Sequence, residues 1–308
     1  MRVFVTGASG HVASAVIPEL VAGGHAVVGL ARSESSAAAV RALGAEVRRG
    51  DLDDLNGLAE AAGEADGVIH LAFKHDEQNA GNLAGAAAAD LRAIEAMGAA
   101  LLGSGKPFVR TNATGAMVLA GFKGHLTEGD TLLGGPRVDA ENAVTALSKQ
   151  GVRSSVVRLP PTVHGDGTYG FVSGLIQTAR AMGSVGYLGD GNNRWPSADS
   201  RDVALVYRLA LESAPAGTRM HAVAEEGLTL RDIAETIGRR LAIPVAAVAT
   251  EDAERHFGNL SMFIGLDNPT SSKITRDALG WAPIHPGLIS DLEHDRNLIT
   301  SVEQHQKL

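Results

Sequence analysis

The chain has no cysteine in its 308 residues. That excludes disulfides, thiol nucleophiles and cysteine-ligated metals. Its eleven histidines show no H-E-x-x-H or related spacing, so no metal site is expected. Basic charge is also short: 27 Lys and Arg stand against 35 Asp and Glu, a formal net charge of −8. A nucleic-acid partner held through phosphate contacts is therefore not expected. No basic run is long enough for a nuclear signal or a membrane patch. No apolar run reaches the roughly 18 residues of a membrane span, because Asp, Arg and Glu interrupt the Ala-rich segments. Strand character begins at residue 2, which leaves no room for a signal peptide, and a cytoplasmic location is expected. Aromatic residues make up only 4% of the chain.

What is there is concentrated at the start. Arg2-Val3-Phe4-Val5 is short and rich in β-formers, and Thr6-Gly7 breaks it. Gly7-Ala8-Ser9-Gly10-His11-Val12-Ala13 then opens an amphipathic run through Val21. A strand, a G-x-x-G-x-x-A turn and a helix form a pyrophosphate cradle. Glycine lets backbone approach phosphate, and the N–H groups and dipole of the helix start favour negative charge. Gly23-Gly24 stops the helix, and His25 to Leu30 reads as a second strand, completing a βαβ unit. At its end stand Arg32 and Ser33 where an NAD-selective site places Asp or Glu. A guanidinium suits a ribose 2′-phosphate, so NADP is the expected cofactor. The alternative is a solvated surface arginine.

Strand and helix signals continue to alternate. Glu46 to Gly50, Gly67 to Ala72, Pro107 to Thr111 and Ser155 to Leu159 read as strands. Leu55 to Ala62, about Asn79 to Leu102, and Asp139 to Gln150 read as helices. This predicts an α/β fold, a doubly wound parallel Rossmann sheet over residues 1–160. Residues 161–308 are expected to form mainly a smaller substrate lobe, with about 196–222 returning to the core. In that half, helices are predicted for Phe171 to Met182, Asp202 to Ser213 and, behind a Thr229 N-cap signal, up to about Leu241, with Leu188 to Asp202 mostly loop and a frayed tail after about Leu292.

These features resemble the extended and atypical short-chain dehydrogenase/reductases, the NAD-dependent epimerase/dehydratase group, over most of the chain. Thr6-Gly7-Ala8-Ser9-Gly10-His11-Val12-Ala13 is similar to that family's T-G-x-x-G-x-x-G, with Ala13 for the third glycine. Asp51-Leu52 matches an adenine-side pair, and His70-Leu71-Ala72, followed by Phe73, matches the H-x-A that ends the fourth strand. Arg158-Leu159-Pro160-Pro161-Thr162-Val163-His164-Gly165 is similar to R-P-x-x-V-Y-G, and Ser200-Arg201-Asp202-Val203-Ala204 to a late Val-x-Asp-Val-Ala. The resemblance implies cofactor contacts at Gly7, Ser9, Gly10, His11, Val12, Arg32, Ser33, Asp51, Leu52, Leu71, Ala72, Phe73 and Pro160. It also implies a small-molecule substrate and a possible homodimer through two helices of the first half.

The catalytic Tyr-x-x-x-Lys of the family is missing. Tyr169, Tyr187 and Tyr207 all follow the sixth strand. Matching Arg137-Val138-Asp139-Ala140-Glu141 to K-x-x-A-E puts Leu133 at the Tyr position and Arg137 at the Lys position. Candidate replacements are the Thr111 and Thr114 hydroxyls, His164 because imidazole as a side-chain type suits proton transfer, and Arg137 as an electrostatic anchor. Each has a structural alternative: a polar strand end, a loop histidine matching the family's structural Tyr, a surface arginine. Lys74 and His75 also come into view, facing the crevice or forming a solvated loop. Tyr169, Phe171, Trp195 and Phe263 are expected to line an apolar pocket. The function expected is hydride transfer between NADP(H) and a small carbonyl or alcohol. A nucleotide-sugar epimerase or dehydratase, and a non-catalytic NADP-binding regulator, are the alternatives.

Overall fold

A computed structural model of the chain describes residues 1–165, 167, 169–295 and 298. Twelve strands are described: β1 (Arg2–Thr6), β2 (Ala26–Ala31), β3 (Glu46–Arg49), β4 (Gly67–His70), β5 (Pro107–Ala113), β6 (Arg153–Leu159), β7 (Thr162–His164), β8 (Val185–Leu188), β9 (Arg194–Asp199), β10 (Thr218–His221), β11 (Glu225–Thr229) and β12 (Val245–Val248). Seven of them form one sheet in the order β10-β6-β5-β4-β1-β2-β3, and every pairing in it is parallel. The order reverses between β1 and β4, and the crevice opens at the carboxyl ends there.

The central strands are buried on both faces, so they read as apolar runs. Helices His11–Ala22 and Ser200–Ser213 pack together on one face, around Val16, Ile17, Val206 and Tyr207. Helices Leu55–Glu64, Leu83–Ala100 and Val138–Leu147 cover the other, around Leu58, Ile94 and Val144. A second apolar core holds Val172, Trp195, Ile233 and Leu288. It belongs to a lobe with two small sheets, β11-β9-β7 and β12-β8. Helix Ser200–Ser213 and strand β10 return from that lobe to the large sheet.

Three local readings change. The long helix expected from about Asn79 to Leu102 starts later, at Leu83, and runs to Ala100, after a separate short helix, His75–Asn79. Gly81, at φ +84°, turns the chain, and the Asn82 side chain accepts the Gly85 N–H at 3.0 Å. The stretch Leu188 to Asp202 is not mostly loop, because β9 runs through Pro196 in the middle of its small sheet. A proline is expected only at an edge or a bulge. Here the β11 register shifts between Glu225 and Leu228, the partners of Ser197 and Trp195, so a bulge faces Pro196. The chain from Leu288 continues as a helix to His294. The rest of the expected frayed tail, residues 296, 297 and 299–308, lies outside the described residues, as do Asp166 and Thr168. No helix among the described residues is long and apolar enough to cross a membrane.

Buried charges tie the carboxyl ends of β5, β6 and β10 together. Glu141 accepts from Asn112 Nδ2 at 2.6 Å, Arg158 Nη2 at 2.5 Å and Arg219 Nε at 2.7 Å. Burial opposes its ionisation, but Arg158, Asn112 and Arg219 bring its pKa down to about 2. Arg158 Nη1 also donates to His221 Nε2 at 3.1 Å, which leaves Nδ1–H to donate to the Ser271 carbonyl at 2.6 Å. Burial, then the Arg158 charge, lowers the His221 pKa to about 4.

This has a pH consequence. The unfolded imidazole takes a proton near 6.5, whereas the folded one stays neutral down to about 4. Between those values the unfolded chain binds the extra proton, so stability falls as pH falls. His221 should therefore remove on the order of 3 kcal/mol of stability between neutral pH and pH 4. In denaturant titrations across that range, His221→Gln should show a shallower decline than the wild type. Parallel curves would show that His221 titrates normally.

Candidate active site

A cleft of about 870 Å³ runs along the carboxyl edge of the large sheet, between it and the lobe. One end is the glycine turn. Gly7 has φ +67°, and a Cβ there would lie 2.7 Å from the Ala72 backbone nitrogen. A Cβ on Gly10 would lie 3.2 Å from the Gly7 carbonyl. Gly10 caps helix His11–Ala22 with no side chain, so the first turn of that helix meets the cleft bare. The donor set and the absence of side-chain bulk fit a dinucleotide pyrophosphate.

Thr6 and His70 brace this turn from below. His70 Nε2 lies 2.9 Å from Asp90 Oδ1, and its Nδ1 lies 2.7 Å from the Thr6 hydroxyl. The Thr6 oxygen accepts the Ala72 N–H at 3.3 Å. Asp90 also takes Arg110 Nη2 at 2.5 Å. Burial works against the Asp90 charge, but Arg110 and His70 hold its carboxyl well below the usual range.

Gly7, Ser9, Gly10, His11, Val12, Arg32, Asp51, Leu52, Leu71, Ala72, Phe73 and Pro160 all line the cleft. Ser33 does not. It caps helix Glu34–Ala42, accepting the Ser36 N–H at 3.1 Å, and Ser36 lines the cleft in its place. Acidic groups are nearer to Arg32 than its sequence neighbourhood indicates: Asp76 Oδ2 lies 3.2 Å from Arg32 Nη2. Lys74 and His75 line the same wall, with Lys74 bonded to Asp53 at 2.8 Å.

The candidate catalytic residues separate. Thr111 and Arg137 line the cleft, whereas Thr114 and His164 do not. His164 is fully buried, with Nδ1 2.9 Å from Asp291 Oδ2, so it cannot reach a substrate in the cleft. Its neighbour Val163 lines the cleft, and side chains alternate along β7, so His164 faces away from it toward Asp291 of helix Leu288–His294. Thr114 opens helix Thr114–Leu119, and its hydroxyl accepts Asn268 Nδ2 at 2.7 Å. Leu133, the residue matched to the catalytic tyrosine, projects into solvent. No phenol among the described residues lines the cleft. Tyr207 lies buried behind Thr111 and shares a 2.6 Å hydrogen bond with its hydroxyl. Burial pushes the Tyr207 pKa up.

Arg137 is held on three sides. Its guanidinium lies 4.1 Å over the Phe73 ring. Nε donates to Asn112 Oδ1 at 3.2 Å and Nη2 to the Thr111 carbonyl at 3.3 Å. Its backbone has φ +65°, a conformation rare outside glycine, at the start of helix Val138–Leu147. Burial, then the charge of Arg110, pulls its pKa down to about 10, so it remains a cation at neutral pH. Beyond it Phe171, Trp195 and Phe263 form an aromatic wall, with Phe171 4.8 Å from Phe263 and 6.0 Å from Trp195. Tyr169 is not part of that wall, since its hydroxyl donates to Asp295 inside the lobe. Asn268 and Leu266 also line the cleft and carry no motif in the sequence; the Asn-Pro dipeptide marks only a turn.

Comparison with known proteins agrees with this geometry. Residues 7–159 match a family model described as NAD(P)H-binding. The chain is 44% identical to an uncharacterized protein of Schizosaccharomyces pombe, over 96% of this chain and 99% of that one. It is 42% identical to an uncharacterized protein of Saccharomyces cerevisiae, over 97% and 100%. Among solved structures, a dTDP-glucose 4,6-dehydratase from Streptomyces venezuelae with NAD bound shares the fold, with TM-score 0.73, 18% identity and coverage of 100% of this chain and 97% of that one. The chain thus carries an NAD(P)-binding Rossmann domain. It belongs to one family with these two relatives, and it shares the fold of the epimerase/dehydratase-type enzymes.

Gly7→Ala tests the cradle. The new methyl group meets backbone in a left-handed conformation, so it should cost about 1–2 kcal/mol from the dihedral alone, with the clash added. Denaturant unfolding reads the loss, and cofactor fluorescence titration should show binding abolished.

Proposed function

We propose that this chain is an NADP(H)-dependent oxidoreductase that passes hydride between the nicotinamide and the carbonyl or alcohol of a small, mostly apolar molecule. The observation that carries this reading is the substrate end of the cleft. Ala116, Leu119, Pro136, Phe171, Trp195 and Phe263 surround a single guanidinium, Arg137. A nucleotide sugar brings a diphosphate that requires several cations or helix starts. Among the described residues at that end, Arg137 is the one cation, which favours a carbonyl substrate over epimerase or dehydratase chemistry.

Arg32 and the start of helix Glu34–Ala42 support a preference for NADP. Arg32 and Ser36 line the cleft, and Arg49 Nη1 donates to the Ser33 carbonyl beside them at 2.6 Å. Two guanidiniums and a helix N-terminus suit a 2′-phosphate.

The nicotinamide, when bound, supplies or takes the hydride. In reduction the carbonyl carbon gains hydride, the π pair moves to oxygen, and that oxygen takes a proton from solvent to give the alcohol. Arg137 stabilises the negative oxygen, and it is already fixed by Phe73, Asn112 and the Thr111 carbonyl. The Thr111 hydroxyl, tied to Tyr207, orients the substrate.

Parallel fluorescence titrations should find NADPH bound more tightly than NADH. Arg32→Asp should remove about 10-fold or more of that preference. Equal affinities in the wild type would overturn the NADP assignment. With a carbonyl panel, Arg137→Ala should lower kcat/KM by about 100-fold. NADPH binding without turnover across the panel would favour a regulatory role instead.

A further inference from the structure

We infer that the substrate end of the cleft recognises a carboxylate, so that the substrate is a small apolar 2-oxo acid or its 2-hydroxy acid. This rests on the proposed oxidoreductase reading and narrows its substrate class. The argument is one of unmatched charge. Three Lys or Arg side chains line the cleft: Arg32, Lys74 and Arg137. Arg32 pairs with Asp76, and Lys74 pairs with Asp53 and Glu77. Arg137 has no carboxylate partner among the described residues. Its protein acceptors are an amide oxygen and a backbone carbonyl, both neutral.

The carboxylates behind it are already engaged. Asp90 serves Arg110 and His70, and Glu141 serves Arg158 and Arg219. Arg110 adds to the imbalance, since its Nε and Nη1 are buried with no hydrogen-bond partner. A half-buried cation beside a second, incompletely paired one favours an anion from outside the chain.

The geometry says what kind of anion. Asn112 cannot turn its amide around. Its Nδ2 must donate to the ionised Glu141, so its Oδ1 must face Arg137. That holds Nε, and the Thr111 carbonyl takes one Nη2–H, while Nη1 has no partner among the described residues. The outer edge of the guanidinium is thus left with N–H groups on both terminal nitrogens. A planar fork of this kind matches two oxygens in one plane. A 2-oxo acid offers them, one from its carboxylate and one from the adjacent ketone. Phe171, Trp195 and Phe263 leave an apolar side chain as the remainder. In the reaction the keto carbon takes the hydride of the reduced nicotinamide. Its oxygen takes a solvent proton, and the carboxylate stays unchanged on Arg137.

The test is calorimetric titration of phenylpyruvate and of its methyl ester, into the free protein and into protein saturated with NADP in its oxidised form, which cannot reduce them. The acid should bind about 10- to 100-fold more tightly than the ester, and added salt should weaken the acid alone. Arg137→Met should erase the difference by loss of acid binding, and Arg137→Lys should restore part of it. Equal binding of acid and ester, no binding of either, or acid binding unaffected in Arg137→Met would each overturn the inference. Failure of the oxidised cofactor to bind would overturn the oxidoreductase reading, while acid against ester on the free protein would still decide this one.

Discussion

The carboxylate of Glu141 is the fixed point of this molecule. It gathers Asn112 from β5, Arg158 from β6 and Arg219 from β10, and so ties together the carboxyl ends of three neighbouring strands. Removing one partner of a buried pair typically costs about 3–5 kcal/mol, because the other charge is left stranded. Replacing the whole group with apolar residues is often tolerated, so stability alone does not account for it. What the network adds is orientation. An ionised Glu141 dictates which way Asn112 points, Asn112 holds Arg137, and Arg137 is the charge that the substrate end of the cleft presents.

That chain of dependence holds a cation in the cleft although the phenol of the Tyr-x-x-x-Lys pair is absent. The usual pair places a proton donor and a cation one helical turn apart. Here helix Val138–Leu147 begins only after Arg137, so the residue a turn earlier, Leu133, lies in a loop and faces water. The cation's position survives at Arg137, and its neighbours are neutral acceptors and an aromatic face.

Much of this was legible in the residues themselves. The β1 run, the glycine turn and the alternation that follows specify the sheet, because each is a local pattern with a single geometric solution. The cleft residues from Gly7 to Phe73 are legible for the same reason. The failures share a different cause. His164 has the chemistry of a catalytic residue, and only the direction of a three-residue strand sends it into the lobe core. Pro196 argues against a central strand until the bulge opposite it, some thirty residues later, is known. Asp76 reaches the cleft on a short helix and Asn268 on a loop, and no periodicity records either.

The two prolines between β6 and β7 have a mechanical consequence. Pro160 and Pro161 carry the chain from the large sheet into the lobe with two backbone dihedrals locked. The chain crosses between the same two bodies again at β9 into helix Ser200–Ser213, and at β10 into β11. It crosses once more from the lobe to the large-sheet core at helix Lys273–Leu279 and Trp281, and back at Leu288; connections this numerous, one of them stiff, oppose a simple hinge. The cleft between the two bodies is therefore expected to keep its shape. Entry and exit would then fall to the surface segments at its rim.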